Sequence, residues 1–99
     1  MEIYHTEYKR CDVLKISGRV DSATAPKLSE KLGEITEAGR FRIVLDLEEL
    51  DFISSAGLRV LISTQKTCKR YNRGEVVLAN VQPTILSSLD LAGFTPFFK

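Results

Sequence analysis

Ser54 and Ser55 are the side chains best placed for chemistry in this sequence, because the patterns around them predict a helix that begins at one of the two. Residues 41–47 form a short apolar run rich in β-branched residues, which predicts a buried strand. Residues 50–52 are expected to lead the chain away from the end of this strand. From Leu58 the apolar residues recur at helical spacing. Serine is a favoured helix N-cap, since its hydroxyl accepts a hydrogen bond from an unpaired amide of the first turn. The serine pair therefore has both a structural and a chemical interpretation.

The chemical interpretation is that Ser55 accepts a phosphate group. A phosphate there would lie at the positive end of the helix dipole, among amides that can solvate it. Ala56 and Gly57 are small and leave room for another molecule's backbone or for the phosphate, and Gly57 costs about 1 kcal/mol of helix stability relative to alanine. Arg59 stands four residues after Ser55 and is within reach of a phosphate at that position.

The seven residues that begin at Phe52 read Phe-Ile-Ser-Ser-Ala-Gly-Leu. They resemble a signature of the STAS domain, specifically of the small bacterial anti-sigma factor antagonists, which runs hydrophobic, hydrophobic, Asp, Ser, Ser, Gly, Leu. In this match Ser55 takes the place of the serine that is phosphorylated in that family. Ser54 stands where the family has Asp, and Ala56 stands where it has a second serine. The resemblance extends over nearly the whole chain.

A second match lies at residues 18–21, which read Gly-Arg-Val-Asp and are similar to the family's G-x-x-D turn after the second strand. Ligands of parallel sheets gather outside the carboxyl ends of the strands. Asp21, Ser54 and Ser55 are therefore candidates for one surface. Asp21 also has a structural interpretation, since aspartate is favoured in turns and caps.

The resemblance implies a regulator of transcription that works by partner switching. In that family the unmodified protein binds an anti-sigma factor and so releases a sigma factor. The anti-sigma factor is a serine-protein kinase that phosphorylates the antagonist with its own ATP, and a PP2C-type phosphatase restores the free form. The predicted phosphorylation site is Ser55, and the predicted partner-binding residues are Asp21, Ser54, Ala56, Gly57 and Arg59.

An alternative function stays open because Ser54 replaces the usual Asp. The chain would then be a STAS interaction subunit of a transport or scaffold complex, using the same loop as a protein interface without phosphorylation.

The elements that position the site follow from the remaining patterns. An antiparallel hairpin is expected at residues 3–8 and 13–16. Helices are expected from Thr24 to Gly39, from Ser55 to about residue 71 and from Pro83 to Gly93. Strands or extended segments are expected at residues 75–79 and 94–98. Strands that alternate with helices require parallel crossovers. We therefore predict an α/β fold: one STAS-like domain over residues 1–99, with a mixed sheet of about four to five strands and about three helices packed mainly on one face. The loop at residues 80–82 is expected beside residues 51–57, and the third helix is expected to turn Ile85, Leu86 and Leu89 inward. Thr24 is expected to cap the first helix, and Cys68 is expected in the core on the apolar face of the second helix. The buried stripe of the first helix is predicted to be Ala25, Leu28, Leu32 and Ile35.

Composition argues against several other functions. A net charge of +1 gives no overall field for nucleic acid or an anionic membrane, and no apolar run approaches the roughly 20 residues of a spanning helix, so we expect a cytoplasmic protein. Cys11 and Cys68 are too few for a disulfide framework or a metal site. The single histidine, His5, lies in the first strand, and Ser55 lacks the flanking glycines of the G-x-S-x-G elbow. We expect neither catalysis by this chain nor a cofactor.

Overall fold

The computed structural model describes residues 1–70 and 74–91, and in these residues it contains five strands and three helices. In chain order they are β1 (Glu2–Glu7), β2 (Asp12–Val20), α1 (Ala25–Glu37), β3 (Ile43–Asp46), β4 (Leu50–Ile53), α2 (Ser55–Arg70), β5 (Val76–Ala79) and α3 (Pro83–Leu91). Among the described residues no helix is long and apolar enough to cross a membrane. The expectations for residue 71, for Gly93 and for residues 94–98 fall outside the described residues.

The sheet is mixed, as the sequence predicts. β1 pairs antiparallel with β2, while β2 with β3 and β3 with β5 are parallel pairs, which gives the order β1, β2, β3, β5. β4 lies off this path and pairs in parallel with the last residues of β2. The predicted α/β architecture of a five-stranded mixed sheet with three helices is therefore confirmed.

Two local predictions about this sheet are wrong. Residues 18–21 do not form a turn, because β2 continues to Val20, and residues 50–52 belong to a strand of their own that pairs with it. The cause is a bulge. Gly18 has a φ of +86°, and the register with β4 shifts between Gly18 and Arg19. The extra residue is Asp51 of β4, because Gly18 pairs with Leu50 and Arg19 pairs with Phe52. A bulge does not end a strand, and glycine adopts the positive φ at the shift without strain, so β2 continues to Val20 beside β4.

The core forms where the inward positions of the strands meet the helices. Leu14 and Ile16 of β2 alternate with less buried residues, as expected for a strand with one covered face. The predicted stripe of α1 is confirmed, with Ala25, Leu28, Leu32 and Ile35 all buried. Cys68 is also buried, as predicted, and burial raises the pKa of its thiol to about 11.

Helix α3 departs from its prediction at one position. Ile85 and Leu89 are buried, but Leu86 is 45% exposed. Ile85 and Leu89 are four residues apart and therefore share one face of the helix, which turns Leu86 to the side.

A buried carboxylate holds the start of β2 in place. Asp12 is fully buried, and its two oxygens contact His5 Nε2 at 2.7 Å and Arg40 Nε at 2.6 Å. The Asp12 carboxylate also raises the pKa of Arg40 by accepting this hydrogen bond. The cluster ties β1 and the segment after α1 to the beginning of β2.

Candidate functional site

Ser54 is the N-cap of α2. Its Oγ accepts a hydrogen bond from the Gly57 N–H at 3.3 Å, and its carbonyl oxygen accepts one from the Leu58 N–H at 2.9 Å. Its own N–H donates to the Val20 carbonyl oxygen at 2.8 Å. The backbone N–H of Ser54 thus continues the pairing of β4 with β2, and its hydroxyl and carbonyl oxygens cap the first turn of α2. This confirms the predicted helix start.

Ser55 is the first residue of α2, and its side chain is exposed. Within the described part of the chain, its hydroxyl makes no hydrogen bond. The capping role is filled by Ser54, so the Ser55 hydroxyl has no structural task in this helix start. It stands at the positive end of the helix dipole, as the sequence predicts.

Asp21 follows β2 where Ser54 follows β4. Val20 and Ile53 are register partners in the parallel pair, so the residues after them emerge at the same edge of the sheet. This geometry brings Asp21 into the neighbourhood of the serine pair, as predicted.

The Asp21 carboxylate is engaged in its own loop. Its Oδ1 accepts hydrogen bonds from the Ala23 N–H at 3.0 Å and the Thr24 N–H at 3.1 Å. The hydrogen bond from the Thr24 amide is the main reason why the pKa of Asp21 is lowered. Thr24 does not cap α1 with its side chain, contrary to expectation, because its hydroxyl accepts a hydrogen bond from the Asp21 N–H at 2.9 Å. The carboxylate therefore shapes the loop that leads into α1.

Gly57 has a packing role that the sequence did not reveal. It is buried, and a Cβ at this position would lie 2.7 Å from both Ile53 Cγ1 and Val20 Cγ1. The space beside it is filled by these side chains and not left for another molecule, which corrects the sequence-based interpretation. Ala56 is partly buried and packs against the core.

Arg59 is exposed on α2, one turn after Ser55. In residues 1–70 and 74–91 it has no hydrogen bond or ion pair, so its guanidinium is available to a charged group. Its separation of four residues from Ser55 places both on the same side of the helix.

The loop at residues 80–82 lies beside the start of β4. Gln82 Nε2 donates to the Leu50 carbonyl oxygen at 3.1 Å, and Asn80 Nδ2 donates to Asp46 Oδ1 at 3.2 Å. These contacts place the loop beside the start of β4, whereas Ser54 follows the end of β4. The expectation that it lies beside residues 51–57 is therefore supported at the start of that segment, and it stays a prediction at the serine end.

The sequence reasoning missed one contact beside the serine pair. The Arg19 guanidinium carbon lies 4.3 Å from the centroid of the Phe52 ring, on the strand residues just before Val20 and Ile53. The sequence carries no signal of this contact, because it depends on the register in which β2 pairs with β4.

Among the described residues, no group of three or more His, Cys, Asp and Glu side chains is placed to hold a metal ion. The histidine of the chain contacts Asp12 at the start of β2, and the serine pair lies beyond the end of that strand. His5 is thus remote from Ser55.

The family to which the chain belongs follows from a comparison with known proteins. The model of the STAS domain matches residues 3–99. The chain belongs to the STAS domain family. This STAS domain is 39% identical over 83 residues to BtrV of Bordetella bronchiseptica, a protein named as an anti-sigma factor antagonist, with 84% of this chain and 71% of BtrV covered. It is 35% identical over 81 residues to the anti-sigma-F factor antagonist RsfB of Mycobacterium tuberculosis, with 79% of this chain and 66% of RsfB covered.

Solved structures show the same fold. The anti-sigma factor antagonist SpoIIAA in its unphosphorylated form superposes with a TM-score of 0.84 at 18% identity, covering 99% of this STAS domain and 86% of SpoIIAA. The phosphorylated form of the Bacillus SpoIIAA gives 0.79 at 18% identity, covering 99% and 89%. The fold of this chain is therefore found in a protein whose structure is known in both states.

Proposed function

We propose that this STAS domain is an anti-sigma factor antagonist that binds an anti-sigma kinase when Ser55 is unmodified and loses that partner when Ser55 is phosphorylated. The names of its relatives BtrV and RsfB support the class of function. The observation that carries the proposal is that the two serines differ in structural role. Ser54 caps α2, and the exposed Ser55 hydroxyl has no hydrogen bond to any residue that the structure describes.

Phosphorylation at this place changes the contact surface more than the fold. A phosphate adds a charge of about −1.5 to −2 next to the small side chain of Ala56. Burying that charge against a partner is costly unless cations meet it. Within the domain the phosphate is favoured by the helix dipole, and Arg59 is placed to neutralise part of its charge.

The proposed contact surface consists of the residues around Ser55. Asp21 contributes through the loop that its carboxylate shapes, and Ser54 and Ala56 form the start of the helix. Gly57 contributes by letting the helix start pack closely against Val20 and Ile53. Arg59 lies on the exposed side one turn later.

The proposed cycle needs two enzymes besides this chain. The kinase uses its own ATP to modify Ser55, and a PP2C-type phosphatase restores the free form. In this cycle Ser55 is a substrate and a switch, and the STAS domain itself catalyses nothing. A cytoplasmic location remains a prediction.

The test is phosphate transfer by each purified anti-sigma kinase of the source organism, with ATP, to the unaltered protein, Ser55→Ala and Ser54→Ala. We expect one kinase to add a single phosphate that maps to Ser55, to modify Ser54→Ala as well, and to leave Ser55→Ala unmodified. Intact mass and peptide mapping give the result. Labelling of Ser55→Ala at normal stoichiometry would move the site to another residue. Binding of a partner without any labelling would instead favour a non-phosphorylated scaffold subunit.

A further inference from the structure

A bulge places Arg19 and Phe52 opposite each other beside the serine pair. Gly18 pairs with Leu50, but the next pair is Arg19 with Phe52, so the register skips Asp51. Bulges are common next to functional sites, where they redirect a side chain. In this sheet the bulge brings a guanidinium and an aromatic ring together at the edge where the serines emerge.

The Arg19 and Phe52 side chains, here called the Arg19–Phe52 pair, point away from the core. Their strand neighbours Val20 and Ile53 are buried, and alternation along a strand turns the pair to the opposite face of the sheet. Phe52 is 38% exposed, and Arg19 is exposed. A cation and a ring in contact at an exposed site stabilise a fold by only about 0.5–1 kcal/mol. Stability is therefore a weak reason for an exposed phenylalanine here.

The pair has the properties of a binding anchor. Arginine and aromatic residues are enriched at the centres of protein interfaces, where a few side chains carry most of the binding energy. The guanidinium is already stacked at 4.3 Å from the ring centroid, so less side-chain freedom is lost on binding. Arg19 donates no side-chain hydrogen bond to any residue that the structure describes, which leaves its donors for a partner.

We propose that the Arg19–Phe52 pair is a second contact point for the anti-sigma kinase, next to Ser55, and that it binds an apolar pocket with a carboxylate at its rim. This inference rests on the proposed function and extends its surface from the helix start onto the sheet. Arg19 lies two residues before Asp21, and Phe52 lies two residues before Ser54, so the pair adjoins two residues of the proposed contact surface.

The Arg19 guanidinium favours a carboxylate at the rim of the partner's pocket. Arg19 and Arg59 are exposed on two different elements, β2 and α2, that adjoin the serine pair. Asp21 interacts electrostatically with Arg19, and Asp51 is exposed beside Phe52, so the two arginines act as local contacts for a partner carboxylate and not as a positive field over the whole surface. One face of the ring is covered by Arg19, so the partner meets the rest of the ring with apolar groups and the guanidinium with a carboxylate.

The test compares Phe52→Ala, Arg19→Ala and the double variant for binding of the purified anti-sigma kinase, all without phosphate. Each single variant should weaken binding at least tenfold. The double variant should lose little more than the stronger single variant, because the two side chains act as one unit. Arg19→Ala should also reduce the dependence of the association rate on salt. Melting temperatures that stay close to that of the unaltered protein exclude loss of fold as the cause.

Tyr8→Ala and Arg10→Ala are the matched controls. Tyr8 is 55% exposed and Arg10 is exposed, and both lie between β1 and β2, at the other end of β2 from the serines. Both controls should bind within twofold of the unaltered protein. If Phe52→Ala and Arg19→Ala also bind within twofold while Ser55→Asp does not, the second contact is refuted and the proposed switch survives. If the unaltered protein binds none of the organism's anti-sigma kinases, both proposals fail.

Discussion

Two neighbouring serines with the same side chain have different surroundings. Ser54 Oγ accepts the Gly57 N–H, whereas the Ser55 hydroxyl is exposed. Ser54→Ala should therefore lower the free energy of unfolding by about 0.5–2 kcal/mol, the usual effect of losing a helix cap. Ser55→Ala should change it by less than about 0.5 kcal/mol, as for ordinary surface positions. Urea denaturation of the two variants measures both values, and an equal loss in both would contradict the assignment of the cap.

At this scale the sequence predicted the position of the site but not the task of each residue. The serine pair, the helix start and the neighbourhood of Asp21 could be inferred from capping preferences and strand ends. The engagement of the Asp21 carboxylate with Ala23 and Thr24 could not, because a turn aspartate can bind its own loop or face a partner with the same local sequence. Buried Gln65 was also missed, since its two hydrogen bonds to Val76 join residues that are distant in sequence.

At the scale of elements, the first turn of α2 packs against two strands through a glycine. Alanine at position 57 would gain up to about 1 kcal/mol in helix propensity. Its Cβ would, however, lie 2.7 Å from Val20 Cγ1 and Ile53 Cγ1, which belong to stiff β-branched side chains. Overpacking of this kind costs about 1–3 kcal/mol, so Gly57→Ala should be a net destabilisation.

Gly33→Ala in α1 is the control for this prediction. A Cβ at Gly33 would meet nothing within 4 Å, so this variant should gain up to about 1 kcal/mol in the free energy of unfolding. Thermal and urea unfolding of the two variants should therefore change in opposite directions. A Gly57→Ala protein as stable as Gly33→Ala would refute the close packing of α2 on β2 and β4.

The elements that were predicted well have a strong period or strong end signals. The stripe of α1 and the stop at Gly39, with its φ of +82°, are examples. β4 was missed because it is four residues long and its two middle residues are exposed, so it shows no alternation. Its existence depends on the partner that β2 offers after the bulge, which is a tertiary effect.

For the whole molecule, the parallel pair of β2 and β4 accounts for the location of the site. It places the serine pair and the Asp21 loop at one edge, while the buried Asp12, His5 and Arg40 fix the other end of β2. The site and the buried Asp12 cluster thus lie at opposite ends of β2. Phosphorylation of Ser55 at the helix start should therefore leave the packing of the core unchanged. The proposed switch should therefore alter partner affinity independently of stability.

The most direct test of the account measures stability and kinase affinity on the same samples of unmodified protein, protein phosphorylated at Ser55, and Ser55→Asp. Negative charge at a helix N-terminus is neutral or stabilising, so the melting temperature of the phosphorylated protein should stay level or rise slightly. Its affinity for the anti-sigma kinase should fall at least tenfold, about 1.4 kcal/mol, with a smaller fall for Ser55→Asp because aspartate carries less charge. Phosphorylated protein that binds the kinase as tightly as the unmodified form would contradict the account.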